Sequence, residues 1–134
     1  MNIEHFALNV ADPVGLADWY VRHLGLRIVR QADSGTLARF LADTAGRGVM
    51  EVYHQPKAPV PDYFAMDPFV LHVAYQADDV ARIRQALIEA GATAVGDIVT
   101  TDAGDTMAFL QDPWGIAIQL VRRVRPLLPS EPEA

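Results

Sequence analysis

The feature that most constrains this chain is an internal repeat. His5 and His72 stand 67 residues apart, and so do Asp12 and Asp79. Gly25 and Gly91 are 66 apart, Glu51 and Gln119 are 68 apart, and Phe40-Leu41-Ala42-Asp43 precedes Phe109-Leu110-Gln111-Asp112 by 69. Offsets that agree within a few residues over such a length predict two copies of one structural unit in tandem.

Each copy reads as β-α-β-β-β. The first opens with a strand over residues 2–10, in which Ile3, His5 and Ala7 share a face by strand alternation. Asp12 followed by Pro13 is a helix start, and Leu16, Trp19, Tyr20, His23 and Leu24 form one apolar face that ends at Gly25. Strands follow at residues 26–31, 36–42 and 49–54, with turns at Ser34-Gly35 and 45–48. The second copy opens with the apolar run Phe69-Val70-Leu71-His72-Val73-Ala74-Tyr75, expected as a strand over 69–76 with Val70, His72 and Ala74 on one face. Asp78-Asp79 then caps a helix carrying Val80, Ile83, Leu87 and Ala90, closed by Gly91. Strands are expected near 94–101, 106–111 and 116–123, with Asp112-Pro113-Trp114-Gly115 as the last turn. Four prolines mark residues 55–68 as a linker between modules 1–54 and 69–123, and the proline-containing tail at 124–134 is expected to fray. One domain over 1–123 is the expected organisation, a usual size.

Composition narrows the function. The formal net charge is −6, which argues against a nucleic-acid phosphate binder. The absence of cysteine removes disulfides, thiolate metal sites and a cysteine nucleophile. No apolar run approaches a membrane span, and no basic-then-apolar leader opens the chain, so a cytoplasmic protein without a membrane partner is expected.

The chemistry-bearing residues fall at matched places. His5 and His72 lie on the opening strands; Glu51 and Gln119 lie on the closing ones. If the copies pack about a pseudo-two-fold axis, two imidazoles, a carboxylate and an amide oxygen can converge as ligands for a divalent first-row metal. Each residue also has a plainer reading. His5 could be a satisfied histidine near a sheet edge, and Glu51 and Gln119 could face solvent between apolar neighbours. His23 and His54 read as structural or surface residues, Trp19 and Tyr20 as helix packing.

The chain resembles the vicinal oxygen chelate superfamily, which groups glyoxalase I, bleomycin-resistance proteins, epimerases and extradiol dioxygenases. The residues carrying the resemblance are Ile3-Glu4-His5-Phe6-Ala7-Leu8-Asn9-Val10, Leu24-Gly25-Leu26, Val49-Met50-Glu51-Val52, Leu71-His72-Val73-Ala74 and the stretch from Phe109 to Leu120 with its Asp-Pro-x-Gly turn. It implies an α+β fold in which two βαβββ modules form a curved mixed sheet around a central cavity. It implies His5, Glu51, His72 and Gln119 as ligands of one divalent metal ion (Ni, Co, Zn, Mn or Fe), and a homodimer.

The implied function is a metal-dependent lyase or isomerase of the glyoxalase type. Its small-molecule substrate would offer vicinal oxygens, and its intermediate would be enediolate-like. Gln119 stands where glyoxalase I usually has a glutamate base, so Glu51 becomes the expected catalytic residue, because an amide cannot accept the proton. Asn9 and Gln55 stand where glutathione-dependent members tend to have Arg and Asn, which argues against a glutathione substrate. Two alternatives share the resemblance: an extradiol-type iron dioxygenase using His5, His72 and Glu51, and a metal-free antibiotic-binding protein of the bleomycin-resistance type.

Overall fold

A computed structural model describes residues 1–128 of the chain. Most of the expected tail, residues 129–134, lies outside the described residues. The chain forms two compact units, Met1–Pro61 and a second beginning at Asp62.

The first unit contains β1 (Phe6–Asn9), α1 (Pro13–Leu24), β2 (Arg27–Gln31), β3 (Arg39–Ala42) and β4 (Val49–Tyr53). Its sheet has the order β1-β4-β3-β2, with β1 parallel to β4 and the other pairs antiparallel. The second unit repeats this with β5 (Val73–Gln76), α2 (Val80–Glu89), β6 (Thr93–Thr100), β7 (Thr106–Gln111) and β8 (Ala117–Arg122), in the order β5-β8-β7-β6. Again only the first and last strands, β5 and β8, run parallel. The fold is therefore α+β, made of two tandem βαβββ modules, each with its own mixed sheet.

Helix starts follow their local chemistry. The Asp12 side chain accepts the Gly15 N–H, Pro13 occupies the first helical position, and Gly25 ends α1 at φ 71°. Asp79 caps α2 in the same way, accepting the Arg82 N–H at 3.0 Å. α1 buries Leu16, Ala17, Trp19 and Tyr20, while His23 stays exposed on the final turn. α1 lies against β2, β3 and β4, where Leu41, Met50 and Val52 are buried. α2 lies against β6, β7 and β8 and buries Val80 and Leu87 near Leu110, Ile118 and Leu120. Burying one such side chain stabilises by about 1.5–3 kcal/mol. The helix covers one sheet face, so alternation along β4 and β8 places Glu51 and Gln119 on the other, both half-buried between buried neighbours.

Two opening strands are shorter than the sequence suggests. β1 starts at Phe6, leaving His5 just before it, and β5 starts at Val73, leaving His72 just before it. The run 68–71 is a turn, with Phe69, Val70 and Leu71 exposed. Asp67 explains the turn: its carboxylate accepts the Phe69 N–H at 2.8 Å and its carbonyl accepts the Val70 N–H at 2.9 Å. Val70, His72 and Ala74 are thus not successive same-face residues of one strand. The repeat itself survives this change, since Phe6 and Val73 are separated by the same 67 residues as the two histidines. β3 also begins late, at Arg39, because Leu37 takes a left-handed φ of 55°. The buried Arg39 side chain donates from Nη1 to the Ala32, Leu37 and Ala38 carbonyls and so closes the β2–β3 connection.

The region 55–68 holds more than extended chain. Asp62 caps a single 3₁₀ turn, Tyr63–Ala65, whose Tyr63 is buried in the second unit. Gly115 in the last turn has φ 92°, and a Cβ there would lie 2.6 Å from the Phe64 backbone nitrogen. Asp112, nearly inaccessible, closes the same turn by accepting the N–H groups of Trp114 and Ile116. Burial and the Asp112 charge push the Tyr75 hydroxyl well above its ordinary range.

These two glycine requirements can be separated. Gly35 has φ 65°, and a Cβ added there would meet nothing within 4 Å, so Gly35→Ala should cost only the left-handed strain, about 1–2 kcal/mol. Gly115→Ala adds the collision with Phe64 and should lose about 3 kcal/mol or more. Urea unfolding of both variants checks the order; equal losses would contradict it.

Candidate functional site

Each module sets its histidine against a phenylalanine from its third strand. In the first, His5 and Phe40 meet edge to face, ring centres 5.7 Å apart at 76°. In the second, His72 and Phe109 do the same at 5.1 Å and 77°. Phe40 pairs across the sheet with Glu51, and Phe109 with Gln119. Ala7 pairs with Glu51 on the parallel side, and Ala74 with Gln119. Ring contact and register together therefore repeat two pairs in both modules, histidine with phenylalanine and phenylalanine with a carboxylate or amide.

Within the first module His5 Nε2 lies 3.2 Å from Glu51 Oε2. The Nδ1 side of the ring is hydrogen-bonded to the Glu4 carboxylate. That hydrogen bond raises the His5 pKa above the ordinary imidazole value; desolvation opposes the rise, and the Glu4 and Glu51 charges add to it. Two donors each about 2.1 Å from one ion, roughly 90–110° apart, stand about 3.0–3.4 Å from each other. The spacing of His5 Nε2 and Glu51 Oε2 fits such a pair.

Within the second module His72 Nδ1 lies 2.8 Å from the Pro68 carbonyl oxygen. A carbonyl can only accept, so Nδ1 carries the proton and the neutral ring keeps its lone pair on Nε2, the form that binds metals. The Gln119 amide donates from Nε2 toward the Met107 sulfur at 3.6 Å, leaving its Oε1 as the free acceptor end. The donor types therefore suit a divalent ion. Among the described residues, however, no three His, Cys, Asp or Glu side chains gather into one group.

The remaining sequence candidates take structural roles. His54, just past β4, has no part in this row: its Nδ1 donates to the Val10 carbonyl at 2.9 Å. Asn9 donates to the Gln55, Ala58 and Pro59 carbonyls and accepts the Gln55 N–H, clamping the loop after β4. His23 packs on Trp19. Phe40, Phe109, Met107, Glu4 and the Pro68 carbonyl carry site geometry that reasoning from ligand types alone misses. The signal for the two phenylalanines is present in the sequence, since both open the tetrapeptides matched at an offset of 69.

The family model of the Glyoxalase/Bleomycin resistance protein/Dioxygenase superfamily matches residues 2–120, and the chain belongs to that superfamily. No curated protein matches the chain. Among solved structures, a glyoxalase family protein from Enterococcus faecalis is 21% identical with a TM-score of 0.69, covering 90% of this chain and 97% of its own. A glyoxalase family protein from Bacillus cereus, 14% identical, has a TM-score of 0.72 over 91% of this chain and 93% of its own. TnmS3, an antibiotic binding protein from Streptomyces sp. CB03234, is 19% identical with a TM-score of 0.67 over 92% and 96%. At these identities the likeness is one of fold. No helix among the described residues is long and apolar enough to cross a membrane.

The His5 environment makes a testable statement about protons. In metal-free protein its NMR titration midpoint should lie above the ordinary 6.5, and Glu4→Gln should lower it by removing the largest cause. Because the folded value is raised, the ring holds its proton to higher pH and releases it only as pH rises through that midpoint. A midpoint at or below the ordinary value in the parent protein would show that Glu4 and Glu51 do not hold the charge.

Proposed function

We propose that the chain is a metal-dependent lyase or isomerase of the glyoxalase type, acting on a small substrate with vicinal oxygens. The observation supporting this is the duplicated histidine–phenylalanine–carboxylate/amide arrangement at matched strand register. On this reading His5, Glu51, His72 and Gln119 serve one divalent ion. Such an ion supplies a Lewis acid that polarises neighbouring substrate oxygens.

The chain's own residues divide the remaining work. The Glu4 carboxylate and the Pro68 carbonyl orient the two imidazoles through their Nδ1 atoms. Phe40 and Phe109 hold the rings edge-on and exclude water from one side. Gln119 can contribute only an oxygen, because an amide takes no proton near neutral pH. Glu51 is then the acceptor for a proton next to a substrate carbonyl. It lies beside His5 and is mostly buried, with 17% of its side chain exposed.

A second reading has one observation in its favour. The structural likeness to TnmS3, an antibiotic binding protein, supports a protein that binds a small molecule without transforming it. The donor set favours the first reading, since a binder without metal has no use for an imidazole in each module whose Nδ1 is held by an acceptor.

Metal titration followed by elemental analysis distinguishes the two. The parent protein should take up no more than one divalent ion per His5/Glu51/His72/Gln119 set when offered nickel, cobalt, zinc, manganese or ferrous iron separately. Glu51→Gln should keep much of that uptake, because its amide oxygen still ligates, while turnover falls on the order of 10²–10⁴-fold. No uptake of any of these ions would favour the binding protein. Metal-loaded Glu51→Gln with undiminished turnover would remove Glu51 as the base.

A further inference from the structure

We infer that Asp67, which has no contact with the proposed ligand atoms, is a positioning residue that selects the metal-binding tautomer of His72 through the turn it caps. The inference builds on the reading of His72 as a ligand for its consequence, though not for its first observable.

Five contacts form the chain of support. The Asp67 carboxylate accepts the Phe69 N–H at 2.8 Å. Its carbonyl accepts the Val70 N–H at 2.9 Å. Phe69, 83% exposed, nevertheless sets its ring edge-on against Phe109 at 5.5 Å, tying the turn to β7. The turn so held presents the Pro68 carbonyl to His72 Nδ1 at 2.8 Å, and the His72 ring leans on the same Phe109.

The chemistry of the last contact is one-sided. The Pro68 carbonyl has no proton to give, so it bonds only to a ring protonated at Nδ1. That leaves the neutral ring unprotonated at Nε2. Without the turn, the Pro68 carbonyl has no fixed position, and water can serve either nitrogen. The Asp67 carboxylate ties the start of this turn to its own backbone. Without it the turn keeps only the Val70 N–H bond to the residue-67 carbonyl and the Phe69–Phe109 contact, with three exposed apolar side chains, so the Pro68 carbonyl is held less firmly. Within the exposed run at 69–71, Phe69 anchors the turn on Phe109 and Val70 closes it through its backbone N–H.

The first measurement needs no metal. With histidine labelled in ¹⁵N, long-range proton–nitrogen correlation reports which ring nitrogen of His72 carries the proton, read about two pH units above the ordinary imidazole pKa of about 6.5. The parent protein should show the proton on Nδ1. Asp67→Ala should shift the population toward Nε2, and Asp67→Asn, whose amide oxygen can accept the same Phe69 N–H, should restore Nδ1. The second measurement is calorimetric binding of zinc chloride, which should weaken about 10- to 100-fold in Asp67→Ala, the usual effect of losing an outer-shell partner, and recover in Asp67→Asn. A parent protein that takes up none of nickel, cobalt, zinc, manganese or ferrous iron, yet keeps the proton on Nδ1 and loses it there in Asp67→Ala, overturns the metal reading and upholds this one. A proton on Nε2 in the parent protein overturns this inference whatever the variants do, as does a folded Asp67→Ala with an unchanged His72 ring.

Discussion

The pairing of each module's first strand with its last is the constraint on which the rest depends. It is the only parallel pair in each sheet, and it joins segments far apart in the module. Parallel pairing requires a crossover, and the helix supplies it, landing on one face of the sheet. The opposite face is left for chemistry. Because side chains alternate, Met50 and Val52 can anchor β4 under α1 only if Glu51 points the other way, and Ile118 and Leu120 impose the same on Gln119. Slipping either strand by one residue would bury the carboxylate or amide and expose the core. The hydrophobic effect thereby fixes the direction of groups it does not itself hold.

Much of this is legible in the sequence, for reasons that differ from element to element. The two helices announce themselves by short-range chemistry, an aspartate cap and a proline or second aspartate before an apolar stripe, and they form where expected. The βαβββ order follows from the repeat offsets, which do not depend on any single strand boundary. The opening strands read too long because an apolar run resembles a paired strand whether or not it finds a partner. Phe69, Val70 and Leu71 are apolar and exposed, held in a turn by Asp67. A capping aspartate followed by proline is a turn signal of the kind that identifies α1, but here no helical stripe follows it.

The site is legible as a set of residues and not as a geometry. Matched offsets pick out His5, Glu51, His72 and Gln119, but nothing in their spacing tells which ring nitrogen faces a ligand. That depends on acceptors one and four residues earlier: the Glu4 carboxylate for His5 and the Pro68 carbonyl for His72. A backbone carbonyl leaves no trace in residue identity. The Phe40 and Phe109 contacts are different, for their letters are present and matched. Only the cross-strand register shows that each ring lies opposite the residue matched to its histidine.

The two modules diverge at the residue that faces each phenylalanine across the sheet. Glu51 and Gln119 occupy equivalent places in equivalent ladders, so the local fold does not distinguish a carboxylate from an amide there. What differs is charge and proton affinity. On the proposed reading, two neutral imidazoles, one amide and one carboxylate around a dication leave a net charge of about +1 before substrate arrives, whereas two carboxylates would cancel it. An anionic substrate with two adjacent oxygens would complete the neutralisation, and a neutral one would not. On the same reading the amide confines proton transfer to the first module. Gln119 directs its N–H at the Met107 sulfur, which orients its oxygen, while Glu51 presents a carboxylate beside His5. On that reading the two like modules take unlike parts, with Gln119 suited to holding the ion and Glu51 to holding it and moving a proton.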